Sequence, residues 1–218
     1  MSESMKLTTH RLCLSQFLWS DPSHCQFFAK LETALRVPNG RPGKTAIRTS
    51  DEAKQTLYQD NQVQWNRYGY GTYLISLVRP FFSQITDHDR SDPREYEYIG
   101  KISLTTWDAS EPMHATEWFV SILPEYQRRE YATEATRALL EFLKSQYGLS
   151  ELFAFAMLDT PHTEAARAFA RKLGFRERGL AKRFHSDGLV FATPGMKKEI
   201  FLSMSTPITS DGDLMDVE

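Results

Sequence analysis

The sequence predicts a mixed α/β fold, with parallel strand pairing at the centre of a sheet and antiparallel hairpins on either side. Residues 114–173 read strand, helix, strand, helix, an order whose crossover sets the two strands parallel. Before and after them lie β-rich runs joined by turn-forming residues, as antiparallel neighbours require. A chain of 218 residues with 41% hydrophobic content can build one packed core. Residues 1–205 are therefore expected as a single domain, and residues 206–218, with four acidic side chains and little apolar content, as a disordered tail.

Each element follows from local chemistry. Residues 9–17 alternate as a strand, and Ser20-Asp21-Pro22 places a cap acceptor before a proline at the first helical position, opening a helix to about Leu35. Pro38, Asn39, Gly40, Pro42 and Gly43 make residues 36–48 a loop. Thr49-Ser-Asp-Glu52 has capping-box spacing and starts a helix to about Tyr68. Residues 70–79 and 96–107 are strands, separated by an exposed, mobile connection over 81–95. In 116–122, Trp118, Val120 and Ile122 share one face and Glu117, Phe119 and Ser121 the other, a period of two with both faces partly covered. Ala132, Ala135, Leu139, Phe142 and Leu143 recur at helical spacing until Gly148 stops the run. Residues 152–158 form a short buried strand. Thr160-Pro161 begins a helix that turns Ala165, Phe169 and Leu173 inward and ends at Gly174. Two strands, about 175–184 and 188–203, close the fold around a turn near Asp187-Gly188.

Composition excludes several function classes. A net charge of −2 offers no general attraction to nucleic acid or an anionic membrane, so neither is expected as a partner. The two cysteines, Cys13 and Cys25, form no Cys-x-x-Cys and stand near no histidine pair, so neither a disulfide framework nor a zinc site is implied. The N-terminus is polar and no run of eighteen apolar residues occurs, which reads as a soluble protein of the cytoplasm or nucleus. Gly-x-Gly-x-x-Gly, Gly-x-x-x-x-Gly-Lys-Ser/Thr and His-Glu-x-x-His are all absent.

The most informative stretch is Leu123-Pro-Glu-Tyr-Gln-Arg-Arg-Glu-Tyr-Ala-Thr-Glu-Ala135, a strand end, a short polar loop and a helix start. Such a loop turns several backbone N–H groups toward one point, at the positive end of the helix dipole, and so suits a phosphate. About thirty residues on stands Ala170-Arg-Lys-Leu-Gly-Phe175. On these two motifs the chain resembles the GNAT family of coenzyme A-dependent N-acyltransferases, and within it the subgroup that includes the ribosomal-protein N-terminal acetyltransferases. The family's Gln/Arg-x-x-Gly-x-Gly/Ala is met by Gln127-Arg128-Arg129-Glu130-Tyr131-Ala132, with glutamate where glycine is usual. Thr9-His-Arg-Leu-Cys-Leu14 resembles the opening strand, Ile99-Gly-Lys-Ile102 the third and Thr116-Glu-Trp-Phe-Val-Ser-Ile-Leu-Pro124 the fourth.

The resemblance implies a mainly antiparallel sheet of six to seven strands, flanked by about four helices, with a splayed parallel pair of fourth and fifth strands. It implies acetyl-CoA as cofactor. The backbone of Ile122 and Leu123 would meet the pantetheine arm, and Gln127, Arg128, Arg129, Glu130, Tyr131, Ala132 and Thr133 the diphosphate. Thr163 keeps a hydroxyl where the subgroup has asparagine, whereas Ala166 and Ala170 replace the usual serine and a tyrosine acid. Glu117 is the candidate base that deprotonates the attacking amine, with His114 able to substitute; Tyr131 and His162 lie near the acid's place. The implied reaction is direct acetyl transfer to a primary amine, on a protein N-terminus or a small molecule, by a monomer or homodimer. The alternative is a weakened or inactive member that binds acyl-CoA or serves as an interaction domain. Acceptor choice would lie in residues 36–70, 81–95 and the last hairpin, with Trp65, Tyr68 and Tyr70 as pocket or core aromatics.

Overall fold

The computed structural model describes residues 5–35, 49–78, 96–106, 115–158, 160, 163–183 and 186–196. The expected loop 36–48, the connection 81–95, His114, His162, the end of the last strand and the acidic tail lie outside them. Eight strands form one sheet: β1 (Lys6–Thr8), β2 (Leu12–Gln16), β3 (Thr72–Val78), β4 (Tyr96–Thr106), β5 (Thr116–Ile122), β6 (Leu152–Met157), β7 (Arg176–Arg183) and β8 (Ser186–Ala192). Their spatial order is β1-β2-β3-β4-β5-β6-β8-β7. The count exceeds the expected six to seven, in part because β1 is only three residues long, too short to register as an alternating run.

The central pairing is parallel, as the strand–helix–strand order requires, with Thr116 opposite Leu152 and Glu117 opposite Phe153. Those are the only rungs of that ladder among the described residues, although β5 runs on to Ile122 and β6 to Met157. The pair is therefore splayed. The pairs β2–β3, β3–β4, β6–β8 and β7–β8 are antiparallel.

The helices are α1 (Pro22–Ala34), α2 (Ser50–Thr56), α3 (Gln62–Tyr68), α4 (Tyr131–Tyr147) and α5 (Thr163–Lys172). The expected caps are present: Asp21 accepts from the Ser23 N–H at 2.8 Å, and Thr49 and Glu52 close a reciprocal capping box. One helix was expected over 49–68, but a π turn at Leu57–Asn61 divides it into α2 and α3. The extra residue in that turn carries Asn61 into the interior. There its Nδ2 donates to the Phe17 carbonyl at 2.9 Å, and its Oδ1 accepts from the Thr72 N–H at 2.6 Å, stitching the end of β2 to the start of β3.

The described chain falls into two compact units. The first holds β1–β3, β4 through Ser103, α1–α3, β5 from Val120 and α4 through Leu139. Its core packs Phe17, Phe27, Phe28, Leu31, Leu57, Leu74 and Leu123. Cys13 and Cys25 are both buried there and form no disulfide. Trp65 meets Tyr73 edge-on at 5.0 Å and Tyr68 stacks on Tyr70 at 5.8 Å, so these aromatics contribute to packing. The second unit holds the start of β5, the rest of α4, α5 and β6–β8, around Phe153, Ala181, Val190 and Ala192.

The last hairpin differs from expectation. Its final rung is Arg183 opposite Ser186, and Asp187-Gly188 lie inside β8 rather than in a turn. Gly188 serves packing there: a Cβ would stand 2.3 Å from Cζ of Phe155.

Replacing Asn61 by alanine strands the Phe17 carbonyl and the Thr72 N–H in a buried place. The expected loss is about 2–3 kcal/mol, seen as a lower urea midpoint at unchanged slope.

Candidate active site

The end of β5 is aimed by a bulge in its neighbour. Ile75 pairs with Gly100 but Ser76 with Tyr98, leaving Ile99 as the extra residue of β4. The Ile99 carbonyl accepts the Leu123 N–H at 2.9 Å. Because successive peptides of a strand point to opposite edges, the N–H and C=O of Ile122 face the other edge of β5. Gln127 turns back to donate through Nε2 to the Ile122 carbonyl at 2.9 Å. Leu123 has both backbone groups engaged, since its carbonyl also accepts from the Tyr126 N–H at 2.9 Å. Of the two residues expected to face a pantetheine arm, Ile122 is thus the one whose peptide is turned outward.

A single 3-10 turn, Pro124–Tyr126, leads into the loop. Residues 127–130 are exposed. Arg128 and Glu130 have φ of 62° and 68°, the left-handed region, and Arg129 between them does not. Alternation of this kind turns successive N–H groups inward into an anion-binding concavity. Glu130 then enters the helix, its carbonyl accepting the Glu134 N–H at 3.0 Å, so Tyr131, Ala132 and Thr133 supply first-turn N–H groups. The structure thereby brings together Ile122, Leu123 and Gln127 through Thr133. The left-handed backbone that glycine would take freely is present at Glu130, at a steric cost of about 1–2 kcal/mol, and again at Arg128.

A clamp that sequence reasoning missed holds this loop. Glu134 receives the Thr9 hydroxyl at 2.6 Å and the Arg11 backbone N–H at 3.1 Å on one oxygen. Its other oxygen receives Nε and Nη2 of Arg11, each at 2.7 Å. The remaining Arg11 nitrogen, Nη1, donates to the Arg129 carbonyl at 3.2 Å, and the guanidinium lies 4.6 Å over the Tyr131 ring. Burial alone would raise the Glu134 pKa, but the bonds from Thr9 and Arg11 outweigh it and hold the carboxyl below its ordinary value. The available signal was an arginine in the turn after β1 and an acid in the first turn of α4. Separated by 123 residues, neither identifies the other.

Glu117 and Thr163 belong to the second unit. Glu117 is 8% exposed on β5, in the last rung of the parallel ladder. Thr163 opens α5, with its hydroxyl 3.0 Å from both the Met157 and the Thr160 carbonyls, so its one proton already has two acceptors. Ala170 is buried against the core and its carbonyl caps the Gly174 turn by accepting from Leu173 and Phe175. Trp118, on the opposite face of β5 from Glu117, packs on Phe169 and Phe175 with ring centroids at 5.8 and 5.1 Å. Among the described residues no helix is long and apolar enough to cross a membrane, and no three His, Cys, Asp or Glu side chains cluster as a metal would need.

A family model described as an acetyltransferase (GNAT) domain matches residues 11–176. No curated protein matches the chain. Solved structures share the fold at low identity. The acetyltransferase of Salmonella typhimurium that modifies the N-terminal serine of ribosomal protein L7/L12 is 17% identical with a TM-score of 0.62, over 86% of this chain and 98% of its own. A RimL ribosomal L7/L12 α-N-protein acetyltransferase in complex with coenzyme A is 17% identical with a TM-score of 0.63, over 86% and 97%. A GNAT-family acetyltransferase of Bacillus anthracis is 17% identical with a TM-score of 0.58, over 86% and 97%.

A carboxyl with a lowered folded-state pKa stabilises above its unfolded pKa, and that contribution disappears as pH falls through the folded value. In Glu134→Gln the side-chain amide opposes the Arg11 donors, for an expected loss of about 1–3 kcal/mol at neutral pH. Denaturant melts from pH 7 to pH 3 should show the gap between variant and wild type closing as the wild-type carboxyl protonates.

Proposed function

The chain belongs to the GNAT acetyltransferase family, and from that premise we propose that it transfers an acetyl group from acetyl-CoA to a primary amine. The acceptor is a protein N-terminus or a small-molecule amine, and transfer is direct, within a ternary complex. The observation that carries this reading is the loop from Gln127 to Thr133, where alternating backbone signs and the mouth of α4 concentrate N–H groups on one point. When bound, the cofactor supplies the thioester whose acyl carbon is attacked; the chain's own groups bind and orient it.

The residues fit a diphosphate. A carboxylate about 6 Å from a phosphate charge costs about 0.7 kcal/mol in water and about 3 kcal/mol at an effective dielectric of 20. Glu130 is exposed, which places it at the lower end, and Arg128 and Arg129 stand beside it as two cations. Glutamate for glycine therefore weakens the grip without removing it. The Ile122 peptide, turned to the outer edge of β5 with its carbonyl accepting from Gln127, is the group we assign to the pantetheine arm, and Thr163 can join as an acceptor while its proton stays on Met157 or Thr160.

Glu117 takes the base's role. An amine attacks only when deprotonated, and a carboxylate shielded from bulk water can accept its proton through an intervening water. No side chain at Ala170 can return a proton to the leaving sulfur, but a thiolate departs near neutral pH without a strong acid. The structures of ribosomal-protein acetyltransferases that share the fold favour a peptide N-terminus within the acceptor class. The buried Ala170 favours a second reading, a member that binds acyl-CoA without turnover.

Coenzyme A at one hundred times its dissociation constant should stabilise the protein by about 2.7 kcal/mol, read as a melting shift. With acetyl-CoA and a panel of peptide N-termini, polyamines and amino sugars, thiol release should exceed hydrolysis for at least one acceptor. Glu117→Gln should lower kcat by about 10²- to 10⁴-fold while keeping the melting shift. A shift with no transfer on any acceptor would select the noncatalytic reading, and absence of both would refute cofactor binding.

A further inference from the structure

The loop poses a question that family membership does not answer: two non-glycine residues, Arg128 and Glu130, hold a left-handed backbone on an exposed segment. Left to itself, such a segment relaxes toward ordinary conformers, because each left-handed residue carries a steric penalty. The surrounding structure must therefore hold it. The peptide between the two strained residues is held by Arg11, whose Nη1 reaches the Arg129 carbonyl at 3.2 Å.

We propose that Arg11 is the positioning residue of the cofactor loop, pinning the 129–130 peptide so that the chain keeps, without glycine, a backbone aimed at a diphosphate. This rests on the coenzyme A reading above. The geometry is specific. All described peptides are trans, so a carbonyl of residue 129 drawn toward Arg11 sends the N–H of Glu130 the opposite way, and one hydrogen bond orients a donor it does not touch. Arg11 can do this because it is itself immobilised, with Nε and Nη2 on Glu134 and its plane over Tyr131. Its positive charge is matched by Glu134, whose other oxygen is held by Thr9 and the Arg11 N–H. The contribution is therefore one of shape. If only a fraction of molecules hold the competent loop, the apparent dissociation constant rises by the inverse of that fraction.

The test is a double-mutant cycle on coenzyme A binding by calorimetry, with melting temperatures recorded for every variant. Arg11→Lys keeps the charge but loses the planar fork, and should weaken binding about tenfold. Glu130→Gly removes one of the two steric penalties, and in that background Arg11→Lys should cost less than about threefold. A purely structural role for Arg11 would lower the melting temperature without this dependence on residue 130. Should Arg11→Lys fail to fold, Glu134→Gln loosens the guanidinium and should weaken binding in the same direction, again rescued by Glu130→Gly. Equal affinity of wild type and Arg11→Lys, or an equal loss in both backgrounds, would overturn the proposal while leaving cofactor binding intact. Absence of coenzyme A binding by the wild type would overturn both.

Discussion

The arrangement around the candidate cofactor loop depends on the ion pair between Arg11 and Glu134. One carboxylate gathers four donors from the turn between β1 and β2, and the guanidinium it holds reaches across to the carbonyl of Arg129. A partly buried pair in which two guanidinium nitrogens share one carboxylate oxygen and further hydrogen bonds fill the other differs from an isolated surface contact, whose net worth is close to zero. It joins three short elements none of which would be well ordered alone: a three-residue strand, a tight turn and an exposed loop.

The same economy appears at the end of β5. A single extra residue in β4 places the Ile99 carbonyl under the Leu123 N–H, and Gly100 lets the strands approach so closely that a Cβ there would lie 2.2 Å from the Ser121 carbonyl. The alternation of peptide directions then determines which backbone groups of β5 face outward. In the second unit, the parallel ladder ends after Glu117 and Phe153, so the candidate base sits where regular pairing stops. Gaps in regular hydrogen bonding expose backbone donors and acceptors, and those are the groups a cofactor rich in amides and phosphates uses.

Much of the fold was legible from local pattern. The period of two over 116–122, the capping box at Thr49, the proline after Asp21 and the glycine stops at Gly148 and Gly174 each name an element through interactions within a few residues. The candidate loop was legible for the same reason, as a strand end, polar residues and a helix start in unbroken succession. What escaped is non-local. The π turn exists because Asn61 bonds to Phe17 and Thr72, 44 and 11 residues away. Gly188 looked like a turn residue and is a strand residue making room for Phe155.

The sequence by itself determined the class of sheet, the order of its elements and the place where helix-end N–H groups would gather, because periodicity, caps and breakers act over one or two turns of chain. Only the tertiary structure decided how that loop is held. The left-handed backbone at Arg128 and Glu130, the outward peptide of Ile122 and the guanidinium on the Arg129 carbonyl all come from groups brought together by folding, and contacts between residues 11 and 134 leave no mark in either local sequence.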